Sequence, residues 1–306
     1  MNRLSIYLLS SLFLLTFLGS EGQGLNLQIG DRFELSQSLT QNTLTDASNT
    51  RGNVSLDIRS SVLIEVSGLL DSSAYQINCQ YKDLSLSLLS PDMEIVISSS
   101  TRSYSSIMKY LTLLEDHRFE GVLASTGELI SISNLDEHII SFYEEDKLSS
   151  NEQDIIIKTL KEAFGEDAFE GFINLTLNMY CNKMASKCKK DVSYSFNAKP
   201  ITLHNTFYMQ NPKDGGTRIQ GIGAITANED KINFEGGSIT TNLNGTQTFD
   251  HLFDSETGWL IEGNSKQKIY LVTVFHGKTD LPEGLEVPSL TETEYIFKGA
   301  KIEVEN

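Results

Sequence analysis

The chain has 306 residues, of which 39% are hydrophobic, and its formal net charge at pH 7 is −17. This length and hydrophobic fraction suffice for one large domain with a sizeable core. The strong acidity repels nucleic-acid phosphates and anionic membrane surfaces, and the basic footprint that nucleic acids require is missing. We therefore exclude nucleic acid as a partner.

The first 22 residues have the pattern of a signal peptide. Arg3 precedes an apolar run over residues 5–18, and the small residues Ser20 and Gly22 occupy the −3 and −1 positions before Gln23. The run is shorter than a membrane span of about 20 residues, with a retained membrane anchor as the alternative. We expect a mature chain of residues 23–306 without a transmembrane segment. Its location would be extracytoplasmic, either periplasmic or secreted.

The chain has three cysteines, Cys79, Cys181 and Cys188. In an oxidising compartment, Cys181 and Cys188 are candidates for a disulfide that closes a small loop. The alternative is three buried free thiols that pack as small hydrophobic side chains. No CxxC pair is present, so zinc and thiol-redox motifs are absent.

The first third of the chain alternates apolar and polar residues with a period of two, as half-buried strands do. The alternating segments cover residues 25–35, 56–66, 75–88 and 93–97, and turn residues separate them. Residues 37–53 contain few large apolar side chains and read as an exposed loop or a wet edge strand. The pattern predicts an antiparallel meander.

The middle of the chain changes to helical spacing. We predict helices over residues 103–116, 150–164 and 168–180, and a hairpin over residues 119–133 that turns at residues 125–128. A further helix starts after Asn134, which with Glu137 resembles a capping box. These helices are too short to form a core of their own, so we expect a helical layer over about residues 103–180 that packs on the sheet.

Strand periodicity returns after residue 192 and continues to the C-terminus. The segment over residues 268–276 is apolar on both parities and predicts a central strand that is covered on both faces. The predicted fold class is α+β, with a large, curved, mostly antiparallel sheet resembling half a barrel and a layer of helices from the middle of the chain. We expect residues 23–306 to form a single domain.

Four segments together resemble a known family. They are the mature start LNLQIGDRFEL, the hairpin FEGVLASTGELISIS, the helical block that ends at Phe172, and FDSETGWLIEG near the C-terminus. They are similar to a family of uncharacterised exported bacterial proteins of the Gram-negative envelope, catalogued as a domain of unknown function. The resemblance implies an architecture and a location but no assigned activity. A curved sheet with helices against it is also similar in fold to envelope lipoprotein carriers.

The best candidate for chemistry is the cluster Asp250, His251 and Asp254, because carboxylates and an imidazole are metal ligands. The same segment reads equally as strand, turn and strand with its polar groups in solvent. No HExxH motif or GxSxG elbow is present, so we assign no catalytic residue and no cofactor.

The leading hypothesis is an exported envelope protein without enzymatic activity that binds an apolar ligand on the concave face of the sheet. Aromatic residues on the later strands would either line such a site or form a plain core. The alternative is a structural or interaction module whose partner is another envelope protein. A metal-dependent hydrolase is the third hypothesis, and the ligand itself is not identified by the sequence.

Overall fold

The structure, a computed structural model, describes twelve segments of the chain. They are residues 24–47, 50–71, 73–91, 93–99, 106–142, 150–180, 187–196, 199–210, 216–227, 230–234, 237–277 and 284–303. The predicted signal peptide and Cys181 lie outside these described residues.

The described residues form thirteen strands that belong to one sheet. The strands are β1 (Arg32–Ala47), β2 (Thr50–Asp71), β3 (Ala74–Ser90), β4 (Met93–Ser98), β5 (Arg118–Ala124), β6 (Leu129–Ser133), β7 (Lys187–Phe196), β8 (Lys199–Gln210), β9 (Thr217–Thr226), β10 (Asp230–Phe234), β11 (Gly237–Phe253), β12 (Leu260–Gly277) and β13 (Glu286–Lys301). Their order is β6-β5-β3-β2-β1-β13-β12-β11-β9-β8-β7, with β4 paired to β3 and β10 paired to β11.

Every pairing in the sheet is antiparallel, which confirms the predicted large antiparallel sheet. Among the described strands, no ladder joins the two ends, β6 and β7, so the sheet is not closed. The N-terminal strand β1 lies between β2 and the last strand β13. The two halves of the chain therefore meet in the middle of the sheet.

The polar segment over residues 37–53 is not the loop or edge strand that its composition predicts. Residues 37–47 belong to β1 and residues 50–53 to β2, and both strands lie inside the sheet. Their polar side chains find partners across the strands: Gln37 donates to Ser60 Oγ at 3.1 Å and Thr40 to Asp57 Oδ1 at 2.6 Å. Cross-strand hydrogen bonds therefore replace the apolar contacts that the prediction required.

The strand predicted over residues 268–276 is part of β12, which lies between β11 and β13 as expected of a central strand. It is not covered on both faces. The side chain of Tyr270 is 46% exposed, and residues 271–276 are half-buried. Apolar residues on both parities were therefore a poor guide to burial here.

The described residues in the middle of the chain form four helices, α1 (Ser106–Asp116), α2 (Leu135–Ser141), α3 (Ser150–Phe164) and α4 (Glu166–Thr176). The apolar side chains of α4 reach the sheet: the rings of Phe172 and Phe297 stack with centroids 6.1 Å apart. The Tyr81 hydroxyl on β3 donates to the Phe164 carbonyl at the end of α3, at 3.1 Å. We call the sheet face that carries Tyr81 and Phe297 the inner face.

The capping box predicted at Asn134 is wrong. Asn134 adopts a left-handed conformation with φ 67°, and its side chain makes no capping hydrogen bond to α2. The first turn of α2 is held instead by Glu166, whose Oε1 accepts from the Asp136 N–H at 3.3 Å. A tertiary contact has replaced the local cap.

Helix α4 and the residues after it lie between the two ends of the open sheet. On the β6 side, the Leu129 N–H donates to Asn174 Oδ1 at 3.1 Å. On the β7 side, Lys190 Nζ donates to the Tyr180 carbonyl at 3.0 Å and also contacts Asn178 Oδ1. We call this region the seam. No helix in the described part of the chain is both long and apolar enough to cross a membrane.

Candidate functional site

A cavity of about 680 Å³ lies between the inner face of β2 and β3 and helix α3. Its floor consists of Leu56 and Ile58 on β2 and Leu86 and Leu88 on β3. Leu56 is paired directly with Leu88, and Ile58 with Leu86, so the four side chains form one aliphatic patch. The alternation of each strand places these residues on the inner face and their neighbours outside.

Helix α3 forms the opposite wall, and its apolar face packs partly into the core and partly against the cavity. Leu160 and Phe164 are buried in the core, while Ile157 is half-buried and lines the cavity. The spacing of these three residues places them on one helical face. Ile140 of α2 completes the apolar lining from the side.

The mouth of the cavity is charged. Lys158, Lys161 and Glu162 of α3 lie there, together with Asp154 of α3, Asp136 of α2 and Asp167 of α4. Lys161 forms an ion pair with Asp136 at 2.5 Å, and Lys158 lies 3.8 Å from Glu162 one helical turn away. The site thus combines an aliphatic interior with an ionic mouth.

Asp136 joins three helices at this mouth. One carboxylate oxygen pairs with Lys161 near the end of α3, and the other accepts from the Glu166 N–H of α4 at 3.0 Å. Since Glu166 also accepts from the Asp136 N–H, the two helix N-termini hold each other. No local sequence signal indicates this arrangement, because the partners are about 30 residues apart.

The volume and lining suit an amphipathic small molecule. Ligand sites typically measure about 300–1,000 Å³ and combine apolar walls with a few polar groups. The apolar part of a ligand would lie on the leucine floor, and its polar part would reach the ionic mouth. The described lining residues include no cysteine, histidine or serine.

The structure separates the residues of the predicted metal site. Asp250 and His251 are neighbours on β11 and point to opposite faces of the sheet. Asp250 faces outward, where Arg218 donates to both of its carboxylate oxygens, at 2.7 and 2.5 Å. The Arg218 hydrogen bond holds the pKa of the Asp250 carboxyl below its usual range.

His251 lies on the inner face and is fully buried among aromatic rings, with Phe249, Phe253 and Phe297 within 6.1 Å between centroids. Burial lowers the pKa of its imidazole to about 3, so the ring is neutral at physiological pH. Neither ring nitrogen has a hydrogen-bond partner within the described part of the chain.

Asp254 has a structural role in the turn after β11. Its Oδ1 accepts from the Thr257 N–H and the Thr257 hydroxyl, both at 2.7 Å. Asp250, His251 and Asp254 therefore do not converge on one point. Across the described segments, no group of three or more His, Cys, Asp or Glu side chains is placed to hold a metal ion.

A row of polar side chains, all buried except the half-buried Gln41, crosses the inner face and was not predicted from the sequence. Seven residues on adjacent strands are paired in sequence across the sheet, each with the next. They are Asn205, Gly223, Gln247, Gln267, Thr293, Gln41 and Leu56. We call its side chains Asn205, Gln247, Gln267, Thr293 and Gln41 the polar row. Because Leu56 is also part of the cavity floor, the row runs up to the cavity.

The polar row is only partly hydrogen-bonded. Gln267 Nε2 donates to Gln247 Oε1 at 2.6 Å, and the Thr293 hydroxyl donates to Gln41 at 3.4 Å. Gln247 is 1% exposed, yet its amide nitrogen and both polar atoms of Asn205 have no partner among the described residues. The sequence could have indicated that Asn205 faces inward, because it alternates along the strand with the apolar residues Leu203 and Phe207.

The cysteines divide into two environments. Cys79 is a free thiol buried on β3, and burial raises the pKa of that thiol, so it is unreactive. Cys188 on β7 is disulfide-bonded. Cys181 lies outside the described residues, and its pairing with Cys188 stays a prediction.

None of the described residues that line the cavity is aromatic, and several aromatic residues of the later strands lie in the core. Phe207 and Phe249 pack together with centroids 5.1 Å apart, and Trp259 stacks on Phe33 at 4.3 Å. The apolar side chains that line the cavity are aliphatic.

A family model matches residues 72–260, which is more than half of the chain, and its description is a family of unknown function, DUF6263. The chain belongs to this family. This confirms the resemblance to an uncharacterised family, and membership assigns no activity. No curated protein matches the chain.

Among solved structures, the chain is similar to lipovitellin, with a TM-score of 0.51 and 11% sequence identity. The similarity covers 92% of this chain and 26% of lipovitellin, so the chain spans about a quarter of that protein. It shows a shared fold.

Two further solved structures have much lower scores, too low to show a shared fold. The COG4313 outer membrane channel from Pseudomonas putida F1 has a TM-score of 0.21 at 7% identity, covering 92% of this chain and 100% of the channel. A Bacteroides fragilis protein with a YmcC-like fold, described as exported, has a TM-score of 0.15 at 10% identity, covering 88% of this chain and 97% of that protein.

Proposed function

We propose that this chain is an exported protein of the cell envelope that binds an apolar ligand in the cavity between β2, β3 and α3 and catalyses no reaction. The observation that carries the proposal is the aliphatic floor of Leu56, Ile58, Leu86 and Leu88 beneath a cavity of about 680 Å³. An aliphatic surface of this kind is poorly hydrated, so an apolar ligand is the favoured occupant.

Burial of an alkyl chain in the cavity favours binding by a modest net free energy. Each buried methylene group contributes about 0.8 kcal/mol. An alkyl chain that buries about eight such groups gains about 6 kcal/mol, against a cost of at least about 4 kcal/mol for lost translation and rotation. This leaves a net gain of about 2 kcal/mol from the alkyl chain, to which contacts of the polar end at the mouth would add.

The fold similarity to lipovitellin supports the proposal, because the solved structure of that protein concerns lipid–protein interactions. Lipid chemistry enters for this chain only as part of the proposal. The rest of the proposal is a signal peptide over residues 1–22, a single α+β domain over residues 23–306, and a curved, half-barrel-like sheet. A helical layer over about residues 103–180 would cover the concave face. Periplasmic or secreted location would suit a Cys181–Cys188 disulfide.

The test is titration with an apolar fluorescent probe whose emission rises on burial. Leu88→Trp fills the cavity, and we expect its probe affinity to fall at least tenfold. Leu89→Trp is the matched control, since the neighbouring side chain points to the outer face and is 53% exposed. Leu56→Phe provides a milder block if Leu88→Trp does not fold. Equal probe affinity in folded Leu88→Trp and wild type would refute the proposal.

An outer-face patch favours the second candidate function, an interaction module that binds another envelope protein. Leu44, Leu290 and Tyr270 are direct neighbours on three adjacent strands and, with Pro288, line a hollow of about 320 Å³. Chemical cross-linking in the envelope should give a specific adduct that Leu44→Ser with Tyr270→Ser abolishes. An unchanged adduct pattern would remove this candidate. A metal-dependent hydrolase is not proposed, because Asp250, His251 and Asp254 diverge.

A further inference from the structure

The charges at the mouth of the cavity are unbalanced. Among the described lining residues, the carboxylates of Asp136, Asp154, Glu162 and Asp167 outnumber the two lysines Lys158 and Lys161. The sign of this charge decides which polar group a ligand can place at the mouth.

Both lysines are already engaged by carboxylates. Lys161 is held by Asp136 at 2.5 Å, and that ion pair is fixed further by the hydrogen bond from the Glu166 N–H to Asp136. Lys158 lies 3.8 Å from Glu162, and its side chain is 75% exposed. An anionic head group would have to displace the Asp136 carboxylate to reach Lys161, and beside Lys158 it would meet the negative charge of Glu162.

The α4 side of the mouth is the more acidic side. Asp167 lies in the first turn of α4 beside Glu166 and one turn before Glu170. Burial raises the pKa of the Glu170 carboxyl, and the negative charge of Asp167 raises it further. The Asp167 charge is therefore felt by its neighbours, and a ligand at the mouth meets the same negative potential.

We propose that the ligand of the cavity is an amphiphile whose head group carries an ammonium, with its alkyl chain on the leucine floor and its cation at Asp167 and Glu162. This inference rests on the proposed function and deepens it. An ammonium close to a carboxylate is attracted by it, and the attraction is stronger at a partly buried site than in open water. A carboxylate head group at the same place is repelled. The cation could belong to an alkylammonium or to a zwitterionic phospholipid head.

The test compares four ligands with the same sixteen-carbon chain, each below its micelle concentration, as competitors of a bound apolar fluorescent probe. They are hexadecyltrimethylammonium, palmitoyl lysophosphatidylcholine, hexadecanol and palmitate. We expect both ammonium ligands to bind at least tenfold more tightly than palmitate. If the zwitterion equals the alkylammonium, the phosphate is tolerated at the mouth; if it is weaker, the site prefers a free cation. Palmitate binding as tightly as the ammonium ligands would overturn the inference and leave the proposed function standing.

Variants of the mouth separate charge from folding. Asp167→Asn with Glu162→Gln should reduce the preference for ammonium over palmitate at least threefold and leave hexadecanol affinity unchanged. Glu94→Gln, an exposed acid on β4 outside the cavity, is the control and should leave the preference intact. An unaltered preference in the double variant would also overturn the inference. If none of the four ligands displaces the probe, the proposed function itself fails.

Discussion

His251 shows how one buried polar residue can govern stability. Its ring is enclosed by phenylalanines, and both ring nitrogens lack a partner within the described segments. Burial of a polar group in this way costs free energy that a hydrogen bond would otherwise return. The residue therefore makes the fold sensitive to acid.

The pH dependence has a definite sign. The pKa of His251 is about 3 in the folded protein, below the ordinary value of about 6.5 in the unfolded chain. The unfolded state therefore takes up the proton first, and stability is lost as the pH falls from about 6.5 towards 3. The free energy of unfolding would fall by about 4 to 5 kcal/mol in total, because each unit of difference between the two pKa values contributes about 1.4 kcal/mol.

Urea unfolding at pH 7.5 and pH 4.5 checks this. Between pH 7.5 and pH 4.5, the free energy of unfolding of wild type should fall by about 2 to 3 kcal/mol more than that of His251→Leu. His204→Gln, a change of an exposed histidine on β8, should behave like wild type. Identical pH profiles for wild type and His251→Leu would show that His251 is not the cause.

Ser265 is a second buried polar residue on the inner face, and its hydroxyl has no partner in the described part of the chain. Ser265→Ala removes an unsatisfied group, so thermal unfolding should show a gain of up to about 1 kcal/mol. Tyr75→Phe is the opposite case, because its hydroxyl donates to the Leu25 carbonyl at 2.7 Å in the core. It should cost about 1 to 2 kcal/mol. Destabilisation by Ser265→Ala would contradict this view.

At the scale of elements, the hairpin of β5 and β6 contacts the seam through its turn. Gly127 has φ +85°, and a Cβ there would lie 1.9 Å from the Leu177 carbonyl oxygen just after α4. Gly30 has a similar φ of +90° with no atom within 4 Å of the added Cβ. The two glycines thus share the backbone conformation and differ in the contact.

Chemical denaturation of two alanine variants measures this contact. Gly30→Ala should cost about 1 kcal/mol for the left-handed conformation alone. Gly127→Ala should cost at least about 3 kcal/mol, because the backbone of residues 177–178 has to move. Equal costs would mean that the turn does not press against the seam.

Local signals predicted some elements well and others poorly. The hairpin over residues 119–133 follows from its turn residues and flanking alternation, and both strands are present. The polar strands at residues 37–53 could not be predicted, because their partners Ser60 and Asp57 are known only once β1 and β2 pair. The helix start after Asn134 was anticipated, although Glu166, 30 residues later, supplies the cap.

At the scale of the whole molecule, the sheet places distant residues in one cavity. The floor comes from β2 and β3, the wall from α3, and the charges from α2, α3 and α4. The apolar parity of Leu56, Ile58, Leu86 and Leu88 was visible in the sequence. The sequence did not show which of these four side chains would be left uncovered by the helices, because this depends on how α3 crosses the sheet.

The predicted metal site at Asp250, His251 and Asp254 is wrong, and the alternation of side chains along a strand, which the sequence already showed, explains why. Consecutive strand residues point to opposite faces, so Asp250 and His251 could converge only if the strand ended between them. The β11 strand continues to Phe253 and prevents this. The alternation along each strand likewise indicated that the side chains of the polar row face inward. That they form one row across several strands could be known only from the register of the sheet.

The most direct test of ligand binding is native mass spectrometry of the protein purified from its own envelope without detergent. We predict one bound apolar molecule per chain in wild type and Leu89→Trp, and its loss in folded Leu88→Trp. Extraction and positive-mode analysis should identify an ammonium-bearing amphiphile. A clean unliganded mass for wild type, together with no uptake of any of the four sixteen-carbon ligands, would contradict the proposed function.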